Sequence, residues 1–266
     1  ISLGLVGSEM CIRDSITIPH TSVPQSKKDS FHEFYDRLVE AQKSYAYRCG
    51  AEYVHYTPDI NDYDEMQFEK LYQFEKLTND YDEIVYLDLD VIPTTEVNVF
   101  DRHASNKNVG VHFIDVQPRW GERNRHDEWW VTAYNLDKMN MVVKTCAKNS
   151  MLMLNDINGD NSIANTGVMI GNKNSIQSLR LAERTKKAEK IFEEAKDDNI
   201  YPEEIASLFS RNNEVYFSFI KECYNVSINP IGLGWNFILD RICKGKRPGI
   251  HCLLYTSPSP RDPTKS

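Results

Sequence analysis

Two aspartates one residue apart, Asp88 and Asp90, close the run Ile84-Val85-Tyr86-Leu87. A run of that kind reads as a buried parallel strand, and buried strands seldom finish on two acids. Alternation along a strand puts both side chains on one face, with Cα atoms roughly 6 to 7 Å apart. Brought to about 4 Å, two carboxylates repel by about 4 kcal/mol at an effective dielectric near 20. The pair therefore needs a positive partner. A hard divalent cation with oxygen ligands, Mn²⁺ or Mg²⁺, suits it, completed by water and a ligand's phosphates. The carboxyl end of a central strand in an open α/β sheet is also where ligands bind. The same two acids would equally serve a solvated strand end or a helix cap, so the rest of the chain has to decide.

A second stretch with chemical content is NTGVMIG, Asn165 to Gly171. A short apolar strand led by Asn-Thr-Gly places an amide beside a glycine that permits close backbone approach, an arrangement able to hydrogen-bond sugar hydroxyls. Trp129 and Trp130 lie in a long polar segment between Asp115 and Asn161, where they would either stack on a sugar face or pack.

The elements that must position these residues follow from periodicity. Ile16–Pro19 reads as the remnant of a first strand. Ser30 and Glu33 form a capping-box pattern ahead of a helix that buries Phe34, Leu38, Ala41 and Tyr45 and stops at Gly50. Glu52–Tyr56 is a second strand, Asp62–Leu77 a second helix, and the acidic strand comes third. Asn108–Phe113 reads as another strand, Ile176–Lys196 as one amphipathic helix, Tyr201–Phe209 as a further helix, Glu214–Ile220 as the next, and Asn225–Ile231 as a last strand. Alternating strands and helices of this kind predict an α/β fold with a mixed, mostly parallel, Rossmann-like sheet flanked by helices.

Composition narrows the partners. The chain of 266 residues carries a net charge of −8, which disfavours nucleic acid, since phosphate contacts need clustered Lys and Arg. Its six cysteines show no zinc or disulfide spacing, so a reducing, cytoplasmic setting is expected. No apolar run approaches the roughly 20 residues that span a membrane. An Asn-x-Ser sequon at Asn225 would matter only in a secretory setting.

The segment Tyr81–Asp101 resembles the acidic motif of GT-A-fold glycosyltransferases, especially the branch of glycogenin and bacterial lipooligosaccharide galactosyltransferases. The resemblance implies that Asp88 and Asp90 bind Mn²⁺ or Mg²⁺ with the diphosphate and ribose of a nucleotide sugar, and that Lys70 on the preceding helix faces the donor. Asn165, Thr166 and Gly167 correspond to the segment that holds the donor sugar. Glu214, after Asn213 where the family has an acid, would serve the acceptor as base or electrostatic partner. LGWNFI matches the acceptor-side segment through Trp235 and Asn236, and RPGIH ends on His251, where the family completes its metal site. The implied activity is transfer of a hexosyl group from a nucleotide-diphosphate donor, a UDP-sugar, to a glycan, lipid or protein acceptor.

Two other readings compete. Asp88 in DLDVI would be the nucleophile of a haloacid-dehalogenase-like phosphatase, although that motif belongs on a first strand and position 92 is Ile rather than Thr or Val. A non-catalytic sugar-nucleotide or glycan binder on the same fold is the third.

The two ends have a different character. Leu5–Asp14 and Cys252–Asp262 admit codon choices that make their coding DNA reverse complements of one another, and both resemble a transposase-type sequencing adapter. The expectation is that residues 1–15 and 252–266 are adapter-derived and lie outside the core, and that 16–251 is one glycosyltransferase domain truncated at both ends. Resequencing the source fragment with a different library chemistry should replace both terminal stretches. Reappearance of the same residues would contradict the adapter origin.

Overall fold

The computed structural model describes residues 10–15, 25–56, 63–89, 91–103, 106–115, 144–197, 212–231, 235, 237–238 and 255–256. In chain order the elements are β1 (Met10–Ser15), α1 (Gln25–Cys49), β2 (Glu52–Tyr56), α2 (Tyr63–Lys76), β3 (Glu83–Asp88), α3 (Val99–His103) and β4 (Gly110–Asp115). They continue with α4 (144–153), β5 (Ser162–Asn172), α5 (Lys173–Leu179), α6 (Leu181–Asp197), α7 (Asn213–Cys223) and β6 (Asn229–Pro230). A six-stranded sheet has the order β2-β1-β3-β5-β4-β6. Strand β1 is parallel to both β2 and β3, β5 is antiparallel to β3 and β4, and β6 is parallel to β4. The fold is thus α/β with a mixed, partly parallel sheet between helices, as expected. A separate pair, β7 (Phe237–Ile238) with β8 (Tyr255–Thr256), is parallel.

Helices cover both faces of β3, and its sequence shows why. Ile84, Val85, Tyr86 and Leu87 are all buried, so neither face can meet water. Ile84 and Tyr86 pack with Phe68 and Leu71 of α2 and with Val215 and Phe219 of α7. Val85 and Leu87 pack on the other side with Tyr45 and Ala46 of α1. Helix α1 buries Gln42, Tyr45, Ala46 and Cys49, one stripe at helical spacing. It ends as expected at Gly50, which adopts φ +68°. Gly50 N donates to Tyr47 O at 3.1 Å and Ala51 N to Ala46 O at 2.9 Å, a Schellman closure.

Several expectations are corrected. Helix α1 begins at Gln25, so Ser30 lies inside it rather than capping it. The first strand is Met10–Ser15, and it sits mid-sheet, whereas residues 1–15 were expected outside the core. Strands β2 and β3 leave between them a slot two strand spacings wide, and an extended segment in register satisfies the backbone groups of both. The expected strand Ile16–Pro19 and helix Tyr201–Phe209 lie outside the described residues. The single helix expected over Ile176–Lys196 is two. Leu179 and Leu181 are both buried, which a continuous helix would turn to different sides, and Arg180 breaks it in the left-handed region at φ 49°. The restarted α6 is capped from α2, where Glu75 Oε2 accepts from Ala182 N at 2.7 Å. The last strand shrinks to Asn229–Pro230.

Helix α4 falls in the long polar segment between Asp115 and Asn161, where the sequence pattern places no helix. It buries Thr145, Ala147, Lys148, Met151 and Leu152. Lys148 is fully buried and donates to Asp160 O at 2.8 Å, Asp160 Oδ1 at 2.9 Å and Ser162 O at 2.9 Å, and it pairs with Glu222 of α7. The second Glu222 oxygen accepts from Asp160 N at 2.9 Å. Burial pushes the Glu222 carboxyl up, against the pull of Lys148. Burial would also raise Asp160, but the bonds from Ser162, Lys148 and Lys221 overcome it and hold that carboxyl below the usual range. The network ties α4, the start of β5 and α7 together.

Lys148→Met should cost about 3–5 kcal/mol in urea denaturation, because Glu222 is left buried and uncompensated. A loss below about 1 kcal/mol would show that the network is not structural. The pH dependence has a definite sign. With Asp160 depressed from 3.8, the unfolded chain takes up its proton first, so the contribution is present above that value and is lost as pH falls below it toward the lower folded value, and Asp160→Asn flattens this acid limb.

Candidate functional site

Asp88 is the last residue of β3, one step beyond the final pairing of that strand with β5, Leu87 with Val168. Its carboxylate meets the Lys70 ammonium at 3.2 Å through Oδ1 and 3.3 Å through Oδ2. Tyr86, two residues back on the same face, donates its hydroxyl to Oδ1 at 3.0 Å. The Lys70 side chain is 8% exposed and that of Asp88 29%, so the lysine is a buried partner rather than a solvated helix residue. Its ammonium also lies 5.6 Å from the centre of the Tyr86 ring.

The backbone beyond β3 is held from the opposite face of the sheet. Val91 N donates to Asp88 O at 2.9 Å and closes a turn. Gln42 of α1, fully buried, directs its amide to the carbonyls of Asp88 at 3.0 Å, Val91 at 3.0 Å and Leu89 at 3.5 Å. Sequence reading missed Gln42. Its only signal was a polar residue within the apolar stripe of α1. Asp90, Asn236 and His251 lie outside the described residues, as do Trp129 and Trp130.

The Asn-Thr-Gly segment is a bulge in β5. Val111 pairs with Met169 and the next β4 residue, His112, pairs with Asn165, so positions 166–168 have no opposite number on β4. Asn165 Oδ1 accepts from Gly167 N at 3.0 Å and holds the bulge. Lys70 donates to Thr166 O at 3.5 Å, so one ammonium touches both the acidic motif and the Asn-Thr-Gly motif. His112, opposite Asn165, is pushed down to about 4 by burial and is a neutral imidazole near neutral pH.

Helix α7 starts against the same bulge. Asn212 caps it, accepting from Glu214 N at 3.0 Å and Val215 N at 3.2 Å. Thr166 donates its hydroxyl to Asn213 Oδ1 at 2.7 Å. Asn213 thus docks α7 on the bulge. Glu214 follows in the first turn, and its half-buried carboxylate is paired with Lys144 of α4. Trp235 is placed apart from this cluster. It packs at the edge of the core formed with α1 and Val91, edge-on to His103 at 4.6 Å between ring centres.

The structure therefore brings together Asp88, Lys70, Asn165, Thr166 and Gly167, and joins Glu214 to them through Asn213. A carboxylate, an ammonium and an amide can bind a cation, a phosphate and hydroxyls. Among the described residues no three His, Cys, Asp or Glu side chains converge as a metal cage. Asp88 nevertheless fits a hard cation in chemistry, because both its oxygens already address one cationic group.

No protein-family model matches the chain, nor does any curated protein. Among solved structures, a glycosyltransferase involved in the glycosylation of the major capsid of PBCV-1 superposes at a TM-score of 0.35 with 10% identity, over 64% of this chain. This chain spans 63% of the length of that protein. Mouse xyloside xylosyltransferase 1, in its apo form, superposes at 0.39 with 12% identity, over 94% of this chain and 97% of the mouse chain.

Proposed function

We propose that the chain is a GT-A glycosyltransferase that moves a hexosyl group from a nucleotide diphosphate, a UDP-sugar, to a glycan, lipid or protein acceptor. The observation that carries this reading is Lys70, whose ammonium joins Asp88 at the end of β3 to Thr166 in the bulge of β5. Two motifs far apart in sequence, one suited to a cation with phosphates and the other to sugar hydroxyls, share one buried contact.

In this reading Asp88, with Asp90 and His251, holds Mn²⁺ or Mg²⁺. The bound cation supplies Lewis-acid stabilisation of the departing diphosphate. Lys70 provides a fixed positive charge for phosphate oxygens. Asn165 and Gly167 orient the sugar, and the Asn165 amide is held for this by its bond to Gly167 N. Thr166 anchors the bulge to α7. Glu214 stands on the acceptor side as base or electrostatic partner, with Lys144 fixing its carboxylate. Trp235 and Asn236 would serve the acceptor side.

No helix among the described residues is long and apolar enough to cross a membrane. The thiols of Cys49, Cys146 and Cys223 are free, which supports a cytoplasmic setting.

Calorimetry on the full chain tests the proposal. UDP should bind with Mn²⁺ or Mg²⁺ present and lose at least about tenfold in affinity with chelator, a difference of about 1.4 kcal/mol. Asp88→Asn should lose as much with the cation present. Equal affinity under all three conditions would sink the cation assignment. Hydrolysis of an aryl phosphate would identify a phosphatase instead, and UDP-sugar binding with neither hydrolysis nor transfer would identify a binder.

A further inference from the structure

We infer that Lys70 is the resident counter-ion of Asp88 before the donor arrives and is handed from that carboxylate to the diphosphate as cation and nucleotide load, so that the two bind cooperatively. The inference rests on the glycosyltransferase reading and deepens it by giving the site an order of loading. Lys70 spans both Asp88 oxygens at 3.2 and 3.3 Å. A divalent cation binding to that carboxylate would meet an ammonium in the place it needs. The ammonium cannot simply retreat into water, because the lysine side chain is 8% exposed. Deprived of its carboxylate it would be a buried charge without an anion, the situation that makes breaking one half of a buried pair unfavourable. A cation alone is therefore disfavoured twice, by like-charge repulsion and by the stranded lysine.

Diphosphate removes both penalties at once. Its oxygens replace the carboxylate as acceptors for Lys70, and they supply further oxygen ligands to the cation. The surroundings keep the exchange short in range. Lys70 remains tethered by the Thr166 carbonyl at 3.5 Å and by the face of Tyr86 at 5.6 Å. Asp88 keeps the Tyr86 hydroxyl at 3.0 Å, and its backbone stays fixed by Gln42. Neither partner has to rebuild its setting when the pair separates.

The test is a binding cycle with Mn²⁺ alone, UDP alone and the two together, read by calorimetry and by the paramagnetic signal of free Mn²⁺. In the unmodified chain UDP should tighten Mn²⁺ binding by about 10- to 150-fold, within the usual span of a coupling between sites. Lys70→Met should tighten Mn²⁺ binding in the absence of UDP, weaken UDP binding in the presence of Mn²⁺, and shrink the coupling factor. Lys70→Gln keeps a hydrogen-bond donor without the charge and should shift in the same directions if the methionine variant does not fold. Lys70→Arg retains the charge and should keep lone Mn²⁺ weak. Mn²⁺ affinity that is unchanged or weaker in both neutral variants overturns the exchange while leaving the glycosyltransferase reading in place, whereas Mn²⁺ affinity indifferent to UDP overturns the exchange together with the cation assignment. Absence of any Mn²⁺ or UDP binding to the unmodified chain overturns that reading, and the exchange with it.

Discussion

A strand buried on both faces that ends on a carboxylate poses one problem, and much of this fold is arranged around its solution. Asp88 has to be neutralised where water is scarce, and removing the partner from such a pair typically costs about 3–5 kcal/mol, reduced here because Asp88 remains 29% exposed. Lys70 supplies the charge from α2 on one side of the sheet. Gln42 gathers the backbone from α1 on the other. Two helices on opposite faces are thereby tied to one strand end, and the side chain and the carbonyl of the same residue are oriented independently.

The sheet order then decides what this strand end meets. Because β5 lies beside β3 and runs antiparallel to it, the bulge of β5 falls next to Asp88 rather than at the far end of the sheet. The bulge turns backbone that would have continued the β4 ladder toward Lys70, and presents the Thr166 hydroxyl to Asn213. Helix α7 starts there, and its first turn brings Glu214 with it. A second buried lysine, Lys148, holds the far side of α7 through Glu222. The helix is thus fixed at both ends by polar contacts to β5 and its neighbours, with an apolar middle of Val215, Tyr216, Phe217, Phe219 and Ile220.

Legibility in the sequence follows the same physics. Strand β3 was readable because four consecutive apolar or aromatic residues leave no amphipathic alternative, and Asp88 stood out against them. Gly50 was readable because a left-handed helix end favours glycine. Lys70 was named only through resemblance, since a lysine on a helix says nothing of its burial until the strand opposite it is known. Gln42 and helix α4 stayed hidden for a shared reason: buried polar residues occupy positions where periodicity looks for apolar ones, Gln42 in α1 and Thr145 with Lys148 in α4. The break at Arg180 was missed because a non-glycine residue carries it. The bulge length depends on pairing with β4, which no local pattern encodes. Strand β1 took the slot beside β3 by backbone pairing, with little side-chain signal to announce it.

The most direct measurement is a crystal of this chain grown with Mn²⁺ and UDP, with anomalous scattering collected to locate the manganese. The account predicts an anomalous peak within bonding distance of the Asp88 carboxylate, diphosphate density between it and Lys70, and the nucleotide lying toward the bulge at Thr166 and Gly167. Manganese or UDP bound elsewhere, with the Lys70–Asp88 pair still closed, would contradict it.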